Sequence, residues 1–297
     1  MLFAKPHPLL VACLLAGVAS AAWSGPVLDR IKSKGTLVIG HREASIPFSY
    51  LDGDKKPVGY AVDLCQRVAE AVKKKLGMSA LKLNYLLVTT ADRIPAITEG
   101  RADLECSSTT NTPERRAQVS FTVPHYITGT RYMVRADSPI QLLADFQGRK
   151  LASTKTTAPL KAIANANRDL LLGITIVEAP EHLKAVEMVE KSEVDGFAMD
   201  DVLLYGLMSG RPDPAKLKVV GKFLTIEPLA IMLSKEDAEF KQVVDDEMKR
   251  LIRSGEATKL YDRWFQQAIP PKNIALKLPM NYLLRDFWKY PTDVVPN

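Results

Sequence analysis

A run of hydroxyl residues followed by a helix start is the part of this chain best suited to bind an anion. Residues 103–116 read DLECSSTTNTPERR, so a short apolar strand leads into four hydroxyl side chains, Ser107 to Thr110. Thr112 can cap a helix with Pro113 at its first position, and Arg115 then lies in the first turn. Free backbone N–H groups and a guanidinium at such a place can bind a carboxylate through paired hydrogen bonds. The alternative is a surface turn with an exposed arginine.

Two other arginines stand at similar junctions between a strand and a helix. Arg42 is the second residue after the β-rich run 36–40, and Arg93 lies in the first turn of a helix predicted for 90–99, after a strand at 81–87. Each alone is readily explained as a surface charge. Because an arginine is costly to bury without a partner, the recurrence of three at equivalent junctions favours a shared binding site.

The second half of the chain repeats this arrangement. The segment STKTT, residues 153–157, follows a predicted strand and precedes a helix, so Thr156 and Thr157 belong to a second hydroxyl-rich anion site. His182 begins a helix, where a capping or surface role is the alternative to ligand binding. Asp200 and Asp201 end a strand, and one of them can face the crevice and hold an ammonium group, while Asp201 is favoured as the cap of the next helix.

Strands and helices alternate along the chain, which predicts an α/β fold. In the first half, Asp63 is expected to cap a helix through Leu76, and a short strand is expected at 104–107. The pattern restarts after residue 137. Further strands are predicted at 150–152, 174–178, 195–199, 217–220 and 229–233, and helices at 159–166, 181–191, 201–208 and 237–265, the last broken at 254–255. Two α/β lobes with a ligand in the crevice between them follow from this pattern.

Composition excludes several classes of function. The chain has 297 residues, 46% of them hydrophobic and 25% charged, which is enough for two lobes with separate cores. The formal net charge is +6, but no basic block or stripe is present, so nucleic-acid binding is not expected. There is no metal-ligand spacing and no nucleotide-binding fingerprint, so neither a metal nor a cofactor is expected.

Residues 1–22 have the layout of a secretory signal peptide. Lys5 precedes the apolar stretch LLVACLLAGVASAA, which ends in small residues suited to cleavage. A lipid-attachment site at Cys13 is the rival interpretation, although few apolar residues precede it. Both interpretations predict export, and no later segment is long and apolar enough to span a bilayer.

Two cysteines, Cys65 and Cys106, remain after the signal peptide. An even pair in an oxidising compartment is a candidate disulfide, which would join a helix to the strand before the hydroxyl run. Two separate buried thiols are the alternative.

Seven segments together carry a resemblance to a known family. They are GHREASIPFSY (40–50), TADRIP (90–95), ECSSTTNTPER (105–115), TGTR (128–131), MDDVLL (199–204), SGEATKLYDRWF (254–265) and IPPKN (269–273). The chain after its signal peptide resembles, over essentially its whole length, the substrate-binding proteins of polar amino acid ABC transporters, and most closely their glutamate/aspartate-binding branch.

The resemblance implies a type II periplasmic binding protein fold, α/β and two-lobed, with two hinge strands. Lobe 1 would comprise residues 23–130 and 228–297, and lobe 2 residues 131–227, with chain crossings near 129–133 and 225–229. A monomeric periplasmic protein is expected, with a membrane permease of an ABC transporter as its partner.

The resemblance also assigns roles in ligand binding. The position of Arg115 would bind the ligand α-carboxylate with help from those of Ser108 and Thr110, and the position of Asp200 would bind the α-ammonium. The side-chain carboxylate would lie among positions matching Arg42, Thr90, Arg93, Thr156, Thr157 and His182.

Charge complementarity supports an acidic ligand. Three arginines against Asp200 leave the site positive, which suits L-glutamate or L-aspartate and should repel lysine or arginine. Ser107 and Lys155 stand where the family commonly has glycine, so the preference between aspartate and glutamate, and the exclusion of glutamine or asparagine, stays open.

Other functions are less well supported by the sequence. Some relatives of this fold are enzymes, cyclohexadienyl dehydratases among them, but the arginine-rich crevice has no free acid/base pair and the protein is not expected to be an enzyme. A receptor's sensory domain is disfavoured because no transmembrane segment follows the lobes.

Overall fold

The computed structural model describes residues 25–295, which form two five-stranded sheets covered by helices. The predicted signal peptide, residues 1–22, and the candidate lipid-attachment site at Cys13 lie outside these residues. No helix within the described residues is both long and apolar enough to cross a membrane.

The helices of residues 25–295 are α1 Pro26–Lys34, α2 Tyr60–Lys75, α3 Arg93–Thr98, α4 Pro113–Arg116, α5 Ala158–Asp169, α6 His182–Glu190, α7 Asp201–Ser209, α8 Ala238–Arg253, α9 Glu256–Tyr261 and α10 Tyr282–Phe287. Two short 3-10 helices, Leu143–Phe146 and Pro214–Lys216, and a π-helical turn, Asp262–Gln266, complete them.

The strands are β1 Thr36–His41, β2 Ala44–Ser45, β3 Ser49–Leu51, β4 Pro57–Val58, β5 Lys82–Leu87, β6 Leu104–Glu105, β7 Ser120–Phe121, β8 Tyr126–Thr128, β9 Thr130–Arg135, β10 Lys150–Thr154, β11 Thr175–Ala179, β12 Gly196–Asp200, β13 Leu217–Val220, β14 Glu227–Leu229, β15 Met232–Leu233, β16 Ala268–Ile269 and β17 Ile274–Ala275.

The first lobe is built on a sheet with strand order β5-β1-β6-β15-β7. β1 runs parallel to β5 and β6, whereas β15 is antiparallel to β6 and β7. Helix α2 packs between this sheet and α8, burying Leu64, Val68 and Val72 completely. Because β1 and β6 end at the same edge of the sheet, the loops that carry Arg42 and the hydroxyl run meet there.

The predicted disulfide is confirmed. Cys65 on α2 is bonded to Cys106, which directly follows β6, and both residues are fully buried. The bond therefore fastens the end of β6, where the hydroxyl run begins, to the main helix of the first lobe.

The second lobe is built on a sheet with strand order β11-β10-β12-β9-β13. β10 is parallel to β11 and β12, and β9 is antiparallel to β12 and β13. Helices α5, α6 and α7 pack against this sheet, and each begins directly after, or a few residues beyond, the end of one of its strands. Their N-termini consequently face the same crevice as the loops of the first lobe.

Two antiparallel hinge strands, β8 and β14, connect the lobes, with Thr128 opposite Glu227 and Tyr126 opposite Leu229. The first crossing begins three residues earlier than the expected 129–133, since residues 130–135 already belong to the second sheet. Gly129 lies between β8 and β9, and a Cβ there would stand 2.3 Å from the Thr225 carbonyl oxygen. Only glycine allows the two crossings to approach this closely.

Some predicted boundaries are wrong at the ends of elements. Helix α2 begins at Tyr60, and Asp63 does not cap it but accepts a hydrogen bond of 2.8 Å from Trp264 Nε1. β6 ends at Glu105 because the backbone turns away into the hydroxyl run. In the C-terminal segment, the Asn281 side chain caps α10 and donates to the Ile127 carbonyl in β8 at 2.7 Å, which ties this segment to the hinge.

Candidate functional site

Arg115 lies at a helix start, as its sequence context predicts. Thr112 Oγ1 accepts a hydrogen bond from the Arg115 backbone N–H at 3.3 Å, and Pro113 occupies the first position of α4. The guanidinium donates from Nη1 to the Thr110 carbonyl at 2.8 Å and from Nη2 to the Thr156 carbonyl at 3.0 Å. Arg115 therefore contacts both lobes. Burial lowers its pKa, and Glu227 and Glu105 oppose this shift.

Arg93 lies beside Arg115 and is 3% exposed. Its Nη1 donates to Thr109 Oγ1 at 2.8 Å and its Nη2 to the Thr156 carbonyl at 3.4 Å, while Nε is buried without a partner. Burial, followed by repulsion from Arg115, lowers the pKa of Arg93 to about 9. The group is still a cation at neutral pH, so a ligand carboxylate near Nε would be favoured.

Thr156 contributes its backbone rather than its side chain. It has a φ of 59°, its side chain is exposed, and its hydroxyl donates to the Lys155 carbonyl at 2.7 Å. This left-handed turn directs the Thr156 carbonyl toward Arg93 and Arg115. The contact expected between the Thr156 hydroxyl and a ligand stays a prediction. The neighbouring Lys155 side chain is exposed.

Asp200 ends β12 on the opposite side of the crevice. It is 1% exposed, and its Oδ1 is buried without a hydrogen-bond partner. Burial is the main cause that raises its pKa well above the usual value, and Glu227 and Asp201 raise it further. A cationic group placed against Oδ1 would relieve this cost, so the position is suited to an ammonium.

The hydroxyls predicted at the site divide into two groups. Thr110 Oγ1 donates to Glu227 Oε2 at 2.9 Å, and Thr157 Oγ1 caps α5 while donating to the Thr154 carbonyl at 2.6 Å. Both are therefore engaged with the protein. Ser108 is buried and lines a cavity in the crevice, which is described below.

His182 is the first residue of α6 and is 3% exposed. Its Nδ1 lies 2.8 Å from Thr154 Oγ1. Burial first, and then the charges of Arg42 and Arg93, lower its pKa well below the usual value. The imidazole is therefore neutral and serves as a polar, uncharged wall.

One small cavity collects seven of the ten predicted ligand residues. Those from the first lobe are Arg93, Ser108, Thr110 and Arg115, and those from the second are Thr157, His182 and Asp200. Guanidinium groups thus lie on one side and a carboxylate on the other. This arrangement can hold a small zwitterion with its carboxylate and ammonium at opposite walls.

Arg42 and Thr90 do not line this cavity. Arg42 Nη2 pairs with Glu181 Oε2 at 2.5 Å, and the Thr90 backbone N–H donates to Glu181 Oε1 at 3.0 Å. Arg42 is 2% exposed, and its Nε and Nη1 have no partner. Sequence reasoning missed Glu181, and the available signal was an acidic residue immediately before the helix start at His182.

Two more buried acids were missed. Glu105 accepts hydrogen bonds from Ser107 Oγ and from Thr109 Oγ1, the latter at 2.8 Å. Glu227 in the hinge accepts from Thr110, from Thr130 at 2.8 Å and from Thr225 at 2.7 Å. Three guanidiniums therefore lie among four carboxyl groups, counting Glu181 and Asp200, so the positive excess expected from three arginines against Asp200 is wrong.

Comparison with known proteins identifies the family. Residues 37–267 match the model of the bacterial extracellular solute-binding proteins, family 3. The chain is 40% identical to an L-glutamate/L-aspartate-binding protein of Pseudomonas aeruginosa, covering 96% of this chain and 94% of that protein. It is 36% identical to a glutamate/aspartate import solute-binding protein of Salmonella typhimurium, covering 97% of each.

The fold also matches solved structures. The ancestral amino acid-binding protein AncCDT-1, a precursor of cyclohexadienyl dehydratase, superposes with a TM-score of 0.68 at 27% identity, covering 80% of this chain and 99% of that one. This protein belongs to family 3 of the bacterial extracellular solute-binding proteins and has their two-lobed type II fold.

Proposed function

We propose that this protein captures L-glutamate or L-aspartate outside the cytoplasm, in the periplasm, and delivers it to the permease of an ABC transporter. The observation that carries the proposal is the small cavity between the lobes that has Arg93 and Arg115 on one wall and the unpartnered Asp200 Oδ1 on the other. The names of the two relatives, both of which bind glutamate and aspartate, support this choice of ligand.

Each ligand group has a counterpart in the cavity. The α-carboxylate pairs with Arg115 beside Ser108, and the α-ammonium pairs with Asp200. The side-chain carboxylate pairs with the free Nε of Arg93, next to the neutral His182. Buried, charge-assisted hydrogen bonds of this kind are stronger than exposed ones because water is excluded.

Binding is coupled to closure of the two lobes. The proposed division places residues 23–130 and 228–297 in lobe 1 and residues 131–227 in lobe 2, with the hinge strands β8 and β14 between them. The ligand first contacts lobe 1, and rotation at the hinge brings Asp200, His182 and the N-terminus of α5 over it. The closed monomer then presents a surface from each lobe to the permease.

The protein is not proposed to be an enzyme. Among residues 25–295, Glu105, Glu181 and Glu227 each accept hydrogen bonds from protein groups, and Asp200 is assigned to the ammonium, so these carboxyl groups are not available as a catalytic acid/base pair. Turnover of a cyclohexadienyl acid by the purified protein would contradict this assignment.

Calorimetric titration of the protein lacking residues 1–22 tests the proposal. Glutamate, aspartate, glutamine, asparagine, lysine and arginine form the panel, and at least one of the two acidic ligands should bind more tightly than any of the others. Absence of both heat and thermal shift with glutamate and aspartate at millimolar concentration would refute the function.

A further inference from the structure

The Glu181 carboxylate is hydrogen-bonded to two of the residues expected to bind ligand, Arg42 and Thr90. Glu181, the residue before α6, reaches across the crevice from the second lobe to the first. Its Oε2 pairs with Arg42 Nη2 at 2.5 Å. Its Oε1 accepts two hydrogen bonds from Thr90, one from the backbone N–H at 3.0 Å and one from Oγ1 at 3.4 Å. These contacts join residues 139 and 91 positions apart in the chain.

Glu181 immediately precedes His182, a residue of the cavity wall, but does not itself line the cavity. The cavity is lined by Arg93, Arg115, His182 and Asp200, whereas neither Arg42 nor Thr90 lines it. Arg42 is almost fully buried, and the Glu181 side chain retains 30% exposure. The Glu181 carboxylate is therefore partly exposed while the Arg42 guanidinium that it pairs with is buried, and neither side chain lines the cavity.

The contact of Glu181 with Arg42 and Thr90 resembles the one expected for the side-chain carboxylate of an acidic ligand. A carboxylate held by one guanidinium and one backbone N–H is a charge-assisted arrangement that a dicarboxylic amino acid would also make. With Glu181 in place, the acceptor for Arg42 Nη2 comes from the protein, while Arg42 Nε and Nη1 stay without a partner. Arg93 lines the cavity and is the arginine available there to the distal carboxylate of the ligand.

We propose that Glu181 is a specificity-determining residue that closes the distal end of the cleft and limits the length of the acidic ligand. This inference rests on the proposed function and adds to it a size limit. Aspartate and glutamate, with one and two side-chain methylenes, fit within the limit, whereas 2-aminoadipate, with three, does not. Removing the Glu181 side chain opens the path to Arg42 and Thr90 for the longer ligand.

The test compares affinity ratios rather than single affinities. Aspartate, glutamate and 2-aminoadipate are titrated calorimetrically into the wild type, Glu181→Ala, Glu181→Gln and the control Glu193→Ala. Glu193 is an exposed acid of the second lobe, so its removal changes the net charge equally without touching the crevice. Thermal melts confirm that each variant is folded.

Glu181→Ala should raise the affinity of 2-aminoadipate relative to glutamate by about tenfold or more, the lower end of what one misfitting methylene is worth in a binding pocket. Glu181→Gln retains the size of the side chain and should leave this ratio within about threefold of the wild type. Glu193→Ala should leave it unchanged.

Three results would overturn the inference. An equal loss for all three ligands in Glu181→Ala would make the residue only a contact that stabilises lobe closure. An equal rise of the ratio in both Glu181 variants would assign the effect to charge instead of length. Tight binding of 2-aminoadipate by the wild type would show that no size limit exists, while failure of the wild type to bind glutamate and aspartate would refute the proposed function itself.

Discussion

Asp200→Asn should strongly weaken ligand binding and at the same time stabilise the ligand-free protein. Asp200 is 1% exposed, and its Oδ1 has no partner. Burial and the neighbouring acids Glu227 and Asp201 raise its pKa, so the folded protein disfavours the charged carboxylate. Asparagine has nearly the same shape without the charge. The Asp200 carboxylate, which is suited to bind an ammonium, therefore lowers the stability of the ligand-free protein.

Both effects can be given a size. Breaking a buried ion pair by removing one partner costs about 3–5 kcal/mol, so affinity for glutamate or aspartate should fall roughly 10²- to 10⁴-fold. Removing an unsatisfied buried charge should raise the free energy of unfolding by about 1–3 kcal/mol. A rise in Tm of a few degrees follows for a chain of this size.

The stability difference should depend on pH in a defined direction. Because the folded pKa of Asp200 is raised, the folded wild type binds more protons than the unfolded chain, and its stability falls as pH rises above the unfolded pKa of about 3.9. Asparagine does not titrate. The Tm of Asp200→Asn minus that of the wild type should therefore be near zero at low pH and increase toward neutral pH.

Thermal melts between pH 4 and pH 8 and calorimetric titration at pH 7 measure these effects. Asp213→Asn, which changes an exposed acid of the second lobe, is the control and should alter neither. A Tm for Asp200→Asn below that of the wild type at pH 7, or affinity for the acidic ligand within threefold of the wild type, would refute the reasoning.

Arg115→Ala should lower affinity for acidic amino acids at least about 100-fold, because two charge-assisted hydrogen bonds are each worth about 1.5–3 kcal/mol; Arg101→Ala, at an exposed arginine, should leave titrations unchanged. Gly206→Ala places a Cβ 2.1 Å from the Ile46 carbonyl oxygen of the other lobe. Overpacking of about 1–3 kcal/mol should weaken ligand binding about 5- to 150-fold, and small-angle scattering should show less compaction with ligand; full compaction would contradict it. Cys65→Ser removes a disulfide that closes a separation of 41 residues, which the loop-entropy relation values at about 4 kcal/mol. Urea unfolding should show this loss, and chemically reduced wild type should match the variant.

Local sequence signals were sufficient for much of the fold and part of the site. The Thr112–Pro113 helix start predicted the position of Arg115 because capping depends on neighbouring residues only. The alternation of strands and helices predicted two α/β units, since hydrophobic periodicity reports which face of each element is buried. Predicted element boundaries were wrong where a residue has a partner distant in sequence. Asp63, for example, accepts a hydrogen bond from Trp264 instead of capping α2.

The sequence by itself determined most of the elements, the arginines at the strand ends and the candidacy of the two cysteines left after residue 22 for a disulfide, which the structure then showed. Only the tertiary structure decided which acids stand among those arginines. Glu181 meets Arg42 across 139 residues, and Glu227 meets Thr110 across 117. Such pairs have no local pattern, because they arise when two lobes fold separately and then bring their strand ends into one crevice. The net charge of the site, its length and its closure all follow from the way in which the two lobes come together.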